Sequence, residues 1–343
     1  MEEYYYNRLH KDEQDVYYAV LKGLKNIDNE FLIPYCEMSR LNDIFFQLRL
    51  DHPEIFWASG FSCKYYKDSP NLIFVPEYIF ERDKIWVHQK AMQARVQKLV
   101  RPMEKMTPIE KEMYVHDFIC ENVHYDKLKK SYSHEIIGPL GQGVGVCEGI
   151  AKSVKILLDA AKVWNIIVLC GNNPEKGIKY RHVWNVVKID GTYYHMDATF
   201  DNTLTAYHPD EEFRYDYFNL SDKQIFRDHE PLLTKAPACG DGDHFYYKEK
   251  KMSFTKMEDV YKRSLQAAKK KKCLTFNWRG GYFTREIFQE MLEQIEKAGK
   301  EKDLSPRISV NFPQAVIRVL YEAPDRQEEV VMEESNIAEK YDA

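Results

Sequence analysis

The chain has 343 residues, 44% of them hydrophobic, which is enough for a sizeable core and predicts two or three structural units. Its 54 acidic and 49 basic residues are mixed along the sequence, so no block of charge calls for nucleic acid or an anionic membrane. The opening MEEYYYNRLHKDEQ lacks the basic start and apolar core of a signal peptide, and no apolar run approaches the ~20 residues of a membrane span. A cytoplasmic protein is therefore expected, or an exported one if a leader has been trimmed away.

In the first hundred residues Val16, Val20, Leu21 and Leu24 follow a helical period, as do Leu41, Ile44, Phe45 and Leu48 before the stop at Asp51-His52-Pro53. Asn71 to Pro76 is a short strand candidate, and a charged helix is expected from about Arg82 to Val100. Residues 1–104 thus form a mainly helical N-terminal unit. Thr107-Pro108-Ile109-Glu110 is a helix start, with a capping threonine, proline at the first helical position and a glutamate that closes a capping box. That helix should run to about Asn122 and lead through the polar loop Lys127 to His134 into a glycine turn.

A helix beginning near Cys147, a strand at Ile166 to Cys170, and two strand-like runs between Arg181 and Asp197 follow. Asp190-Gly191 between those runs is a strong two-residue hairpin signal. Residues 105–235 make up this central unit. Pro237 to Asp243 reads as a linker. Beyond it, helix (255 to 270), strand (273 to 277), helix (284 to 298) and strands (307 to 312, 315 to 321) predict a small α/β domain over 245–323. Residues 324–343, with Glu328-Glu329 and Glu333-Glu334, form an acidic tail.

The seven cysteines (36, 63, 120, 147, 170, 239 and 273) are an odd number without a CxxC pair, so neither a disulfide framework nor a zinc cage is indicated. Ser133-His134-Glu135-Ile136-Ile137-Gly138 lacks the second histidine of an HExxH motif. No metal and no cofactor are expected. Cys147 stands apart because Ile150, Val154, Leu157, Leu158 and Ala161 recur at helical spacing behind it, which puts the cysteine in the first turn of an amphipathic helix. Backbone N–H groups and the dipole there favour thiolate over thiol. Gly141, Gly143 and Gly145 present no side chain to an approaching substrate. The competing reading is a free cysteine buried for packing, so partners must decide.

A cysteine nucleophile needs a base, and the base needs a group that fixes its tautomer. If Asp190-Gly191 makes a two-residue turn, Ile189 pairs with Thr192 and Trp184 faces Asp197. His182, Trp184 and Asp197 then share a face of the hairpin, with His182 and Asp197 diagonal neighbours. A one-residue slip would separate them. His195 lies on the same face and Asp201 is close in sequence, so they remain alternative base and acid. Val183, Val187, Ile189 and Met196 give the other face an apolar character suited to packing on helices.

GVGVCEGIAKSVKILLDAAKV, RHVWNVVKIDGTYYHMDATFDN and YFNLSDKQIFRDH, with VHDFICENVHYD upstream, together resemble the bacterial transglutaminase-like family, a branch of the papain-like cysteine enzymes. The resemblance covers roughly Thr107 to Leu233. It implies an α+β fold whose core sets a cysteine-bearing helix against an antiparallel sheet carrying histidine and aspartate. It also implies a catalytic triad of Cys147, His182 and Asp197. Ile150 stands where the family often has an aromatic, and Phe200 where it often has tryptophan. Calcium dependence is not implied.

The expected chemistry is acyl transfer on a peptide or protein amide through a thioester, with water as acceptor in a protease or deamidase and an amine as acceptor in a transglutaminase. Hydrolysis is preferred because water needs no second site. The Cys147 backbone N–H is the expected oxyanion donor, Gln142 or Tyr125 a second, and Gly145 and Trp184 are expected in the cleft. A non-catalytic module that binds protein or peptide is the rival reading, and a redox or metal-binding thiol protein the third. No nucleic-acid or membrane partner is expected, and the sequence leaves the oligomeric state open.

Overall fold

The computed structural model describes residues 3–67, 69–178, 181–206, 212–240 and 243–324, and the backbone of 333–334. The N-terminal segment runs α1 (Lys11–Asn26), β1 (Phe31–Pro34), α2 (Met38–Asp51), β2 (Ala58–Tyr65), β3 (Asn71–Tyr78) and α3 (Arg82–Val100). Helix predominates in this segment, and its strands form an antiparallel sheet in the order β1-β3-β2. β3 reads as an apolar run, Leu72 to Val75. β1 is only four residues long, and β2 alternates over Phe61-Ser62-Cys63-Lys64-Tyr65, a stretch too short and too exposed to stand out beside the helices.

The central segment runs α4 (Pro108–Asn122), β4 (His124–Tyr125), β5 (Val144–Gly145), α5 (Cys147–Ala160), β6 (Asn165–Cys170), β7 (His182–Ile189), β8 (Thr192–Met196), α6 (Ala198–Ala206), β9 (Phe218–Leu220) and α7 (Asp222–Ile225). α4 begins with the anticipated Thr107/Glu110 capping box. β6, β7, β8 and β9 form a four-stranded antiparallel sheet in that order. The β7–β8 register is the expected one, from Ile189 opposite Thr192 to Asn185 opposite Met196. Asp190 (φ 48°) and Gly191 (φ 86°) are both left-handed, the backbone that a tight hairpin turn with matching strand twist requires. α5 lies across this sheet, where Asn185 Nδ2 donates to the Ala151 carbonyl at 3.1 Å. Val183, Val187, Ile189 and Met196 are all buried.

The C-terminal segment runs α8 (Tyr246–Glu249), β10 (Ser253–Phe254), α9 (Met257–Lys270), β11 (Leu274–Trp278), α10 (Arg285–Lys300), β12 (Ser305–Asn311), β13 (Val316–Glu322) and β14 (Glu333–Glu334). Its sheet order is β10-β11-β13-β12-β14. Phe276, Met291, Ile295, Ile317 and Val319 belong to a core of its own. The N-terminal and central segments instead share one continuous core that runs from Tyr4 to Tyr247 and takes in Val316 of β13, so the N-terminal segment packs as a covering layer on the central unit. α8 packs with that larger core: Tyr246 stacks on Tyr215 with ring centroids 3.7 Å apart. The boundary drawn at 245 therefore falls a few residues early. Asp241 and Gly242 of the linker, and the tail apart from Pro324 and Glu333–Glu334, lie outside the described residues. No helix among the described residues is long and apolar enough to cross a membrane.

Candidate active site

Cys147 opens α5 after Val146, which supplies no side-chain cap, so the first-turn N–H groups are left for a ligand or a thiolate. The apolar stripe Ile150, Val154, Leu157, Leu158 and Ala161 is buried as the spacing requires, while Cys147 itself is half-buried. Small residues seat this turn. A Cβ on Gly149 would lie 2.2 Å from the Ser133 carbonyl oxygen, the same oxygen that accepts from Val146 N at 3.0 Å. Gly145 is buried against Pro139, where a Cβ would approach to 2.6 Å. Its role is thus close packing at the base of the cysteine turn.

His182 begins β7 and Asp197 follows β8, and the hairpin register brings them together. His182 Nε2 meets Asp197 Oδ2 at 2.6 Å, which leaves Nδ1 for the side-chain hydrogen bond to Cys147. Burial alone would strip the proton from His182, but the Asp197 charge, its hydrogen bond and the contact with Cys147 hold the histidine well above its usual range. Asp197 is fully buried. Burial would raise its pKa, yet the charge and hydrogen bond of His182, together with His229, hold it well below the usual carboxylate range. Its Oδ1 accepts from the backbone N–H of Thr199 (2.9 Å) and Phe200 (3.1 Å) at the start of α6. Its Oδ2 also faces His229 Nε2 at 2.9 Å.

His229 was not singled out by the sequence, although it closes the quoted block YFNLSDKQIFRDH. The chain folds back after α7, and the ring then lies against Phe200 and Trp184, with centroids at 4.6 and 4.8 Å.

The other expected residues divide. Trp184 stacks beside His182 at 5.7 Å between centroids, but it is fully buried and donates from Nε1 to His195 Nδ1 at 2.9 Å, so it is a wall behind the histidine rather than an open cleft surface. His195 therefore carries its hydrogen on Nε2, which meets Asp222 Oδ1 at 2.8 Å. Burial lowers its pKa, and with Trp184 and Asp222 as its two partners it is a neutral prop for Trp184. Cys239 also lies by Asp222, but the His195 nitrogen directed there has no lone pair left for a cation in this network. Asp201 pairs with buried His116 Nε2 at 3.1 Å, outside the triad, and burial pushes its carboxyl up to about 7. Tyr125, on β4 beside Gly145, is close enough for Cys147 and Asp197 to act on its phenol, whose ionisation burial and these negative neighbours oppose. Gln142 is exposed at the end of the turn Gly138–Gln142.

Next to the cysteine, Glu148 joins an ionic cluster that crosses to the N-terminal layer. Lys152 Nζ is 2.8 Å from both Glu135 and Glu148, Arg49 on α2 is 3.2 Å from Glu148 and also pairs with Glu135, and His134 lies 3.3 Å from Glu148. Burial would raise the Glu148 pKa, but Lys152, the His134 hydrogen bond and Arg49 hold it well below the usual carboxylate range. Lys152 is fully buried on the same helix as the apolar stripe, a placement that only the matching carboxylates permit.

Residues 96–198 match the model of the transglutaminase-like superfamily. In this stretch the chain is similar to the transglutaminase-like superfamily. The match includes Cys147, His182 and Asp197 and supports a cysteine-dependent enzyme in kind. No curated protein matches the chain in sequence. Among solved structures, the chain is similar to a TGase (13% identity, TM-score 0.28), to a "putative cysteine protease" from Cytophaga hutchinsonii (13%, 0.26) and to a "putative protease" from Parabacteroides distasonis (12%, 0.26). Each similarity covers 41% of this chain, and respectively 44%, 61% and 37% of the other. The chain thus spans less than two thirds of the length of any of these three.

Proposed function

We propose that this transglutaminase-like stretch catalyses cysteine-dependent acyl transfer on an amide or peptide substrate, with hydrolysis as the outcome. The observation that carries this reading is the convergence of half-buried Cys147, protonated His182 and a buried, fully engaged Asp197 at the open first turn of α5. Cys147 Sγ attacks the amide carbon as the carbonyl π pair moves onto oxygen. The C–N bond then breaks, and the leaving nitrogen takes the proton from His182 Nδ1. Water attacks the thioester carbon next, giving its proton back to His182 as the C–S bond breaks and the carboxylic acid departs. Asp197 holds the imidazolium in place throughout.

The Cys147 N–H is the first oxyanion donor and the protonated Tyr125 phenol the favoured second, with Gln142 the alternative. A peptide or protein amide is the substrate class that this chemistry accepts. Amine transfer would need only an amine in place of water.

The test is alkylation by iodoacetamide across pH with the modified cysteine located by peptide mapping. Cys147 is expected to label fastest of the seven at pH values well below ~8.5, the ordinary thiol range, and His182→Ala to slow it at least tenfold. Equal labelling of Cys147 and the other cysteines would refute the assignment. Peptide turnover with and without methylamine then separates hydrolysis from amine transfer by product mass.

A further inference from the structure

The carboxylate beside His182 is held by two histidines, and the second is gripped on both sides. His229 Nε2 meets Asp197 Oδ2 at 2.9 Å and its Nδ1 meets Asp228 Oδ1 at 2.8 Å. A carboxylate only accepts, and a neutral imidazole has one N–H, so satisfying both bonds requires a hydrogen on each nitrogen. Burial would drive that proton off, but the hydrogen bonds to Asp197 and Asp228 outweigh it, and the His229 pKa is raised. The side chain is 1% exposed, so water does not stand in for either partner.

Asp228 is itself fixed. Tyr217 OH donates to its Oδ2 at 2.6 Å, and Gln314 Nε2, from the turn between β12 and β13, donates to its Oδ1 at 3.1 Å. A continuous hydrogen-bonded path therefore runs from the C-terminal domain through Asp228 and His229 to Asp197 and His182.

We propose that His229 is a positioning residue of the active site, a resident imidazolium that pins Asp197 Oδ2 and is braced through Asp228 by the C-terminal domain. This rests on the assignment of Cys147, His182 and Asp197 given above. The groups that face His229 are Asp197 after β8, Asp228 on its own turn, His182 on β7 with ring centroids 5.5 Å apart, and Tyr217 ahead of β9, also at 5.5 Å; neutral His195 lies beyond Trp184.

A fixed cation at that distance from His182 opposes the His182 proton. Removing it makes that proton harder to lose, so the inflection at which His182 gives it up moves to higher pH. For unit charges at this separation and an effective dielectric near 20 the shift is about two pH units.

The experiment is the pH profile of Cys147 alkylation by iodoacetamide in the full chain, wild type against His229→Gln, which keeps a donor but removes the charge. The inflection at which His182 loses its proton is expected about two units higher in a variant whose thermal unfolding shows it folded. An unchanged profile in the folded variant overturns the proposal and leaves the triad standing. A wild-type Cys147 that labels no faster than the other cysteines overturns the triad, and this proposal with it. If His229→Gln does not fold, nitrogen-15 NMR of the wild type at about pH 8.5, two units above the ordinary histidine value, decides. His229 is expected to hold hydrogens on both nitrogens, and a singly protonated ring overturns the proposal.

Discussion

Asp197→Asn probes the centre of the site, because the two oxygens of Asp197 have no interchangeable role. Oδ2 receives His182 and His229, and Oδ1 receives the N–H groups of Thr199 and Phe200, so all four partners are donors. Asparagine offers one oxygen, and its NH2 group must face one of these donor pairs. Two buried donors left unsatisfied cost about 1–3 kcal/mol each, so the substitution should destabilise the protein by about 2–6 kcal/mol. Loss of the charge acts separately. At an effective dielectric near 20 and about 4 Å between charge centres, the attraction is about 4 kcal/mol, or about three units in the pH at which His182 gives up its proton.

The sign of the pH dependence follows. Asp197 is depressed, so its contribution is present above 3.8 and lost as pH falls through the folded value; His182 is raised, so its contribution is present below 6.5 and lost as pH rises through the folded value. The stability gap between wild type and variant should be widest between those limits. Urea unfolding at several pH values measures the gap, and Cys147 alkylation reports the site. A folded variant with stability within about 0.5 kcal/mol of wild type and an unaltered alkylation profile would refute the reasoning.

Two further outcomes test the packing around the site. Gly149→Ala would ordinarily stabilise a helix by about 1 kcal/mol, but the Cβ collides with the Ser133 carbonyl, so a loss of about 1–3 kcal/mol in thermal unfolding and slower Cys147 alkylation are expected. A variant as stable as wild type would contradict this placement of the turn. Glu112→Gln replaces a fully buried carboxyl that burial pushes up to about 8 and that, among the described residues, accepts from Asn219 alone, at 3.0 Å. A raised acid loses stability as pH rises from 4.5 to about 8, so the advantage of the variant in urea unfolding should grow through that window and level off above it. An advantage that shrinks with rising pH would show that Glu112 is ionised in the native protein.

Local rules carried the sequence a long way toward the site. The helical spacing behind Cys147, the Thr107/Glu110 cap and the Asp190-Gly191 turn each depend on residues within a few positions of one another. A two-residue turn fixes the register of a whole hairpin, and that placed His182 and Asp197 on one face. The superfamily match of residues 96–198 fits the resemblance carried by the same blocks.

What the sequence could not decide was which distant groups would meet. His229 reaches Asp197 across 32 residues, and Arg49 reaches Glu148 across 99. Asp201, one turn past Asp197, points instead to His116, 85 residues earlier. Lys152 reads as a solvated lysine until Glu135 and Glu148 close around it. Spacing and propensity describe a chain's neighbours along its length. The choice of partner for a buried charge is made by packing, which brings together only the groups that can neutralise one another out of water.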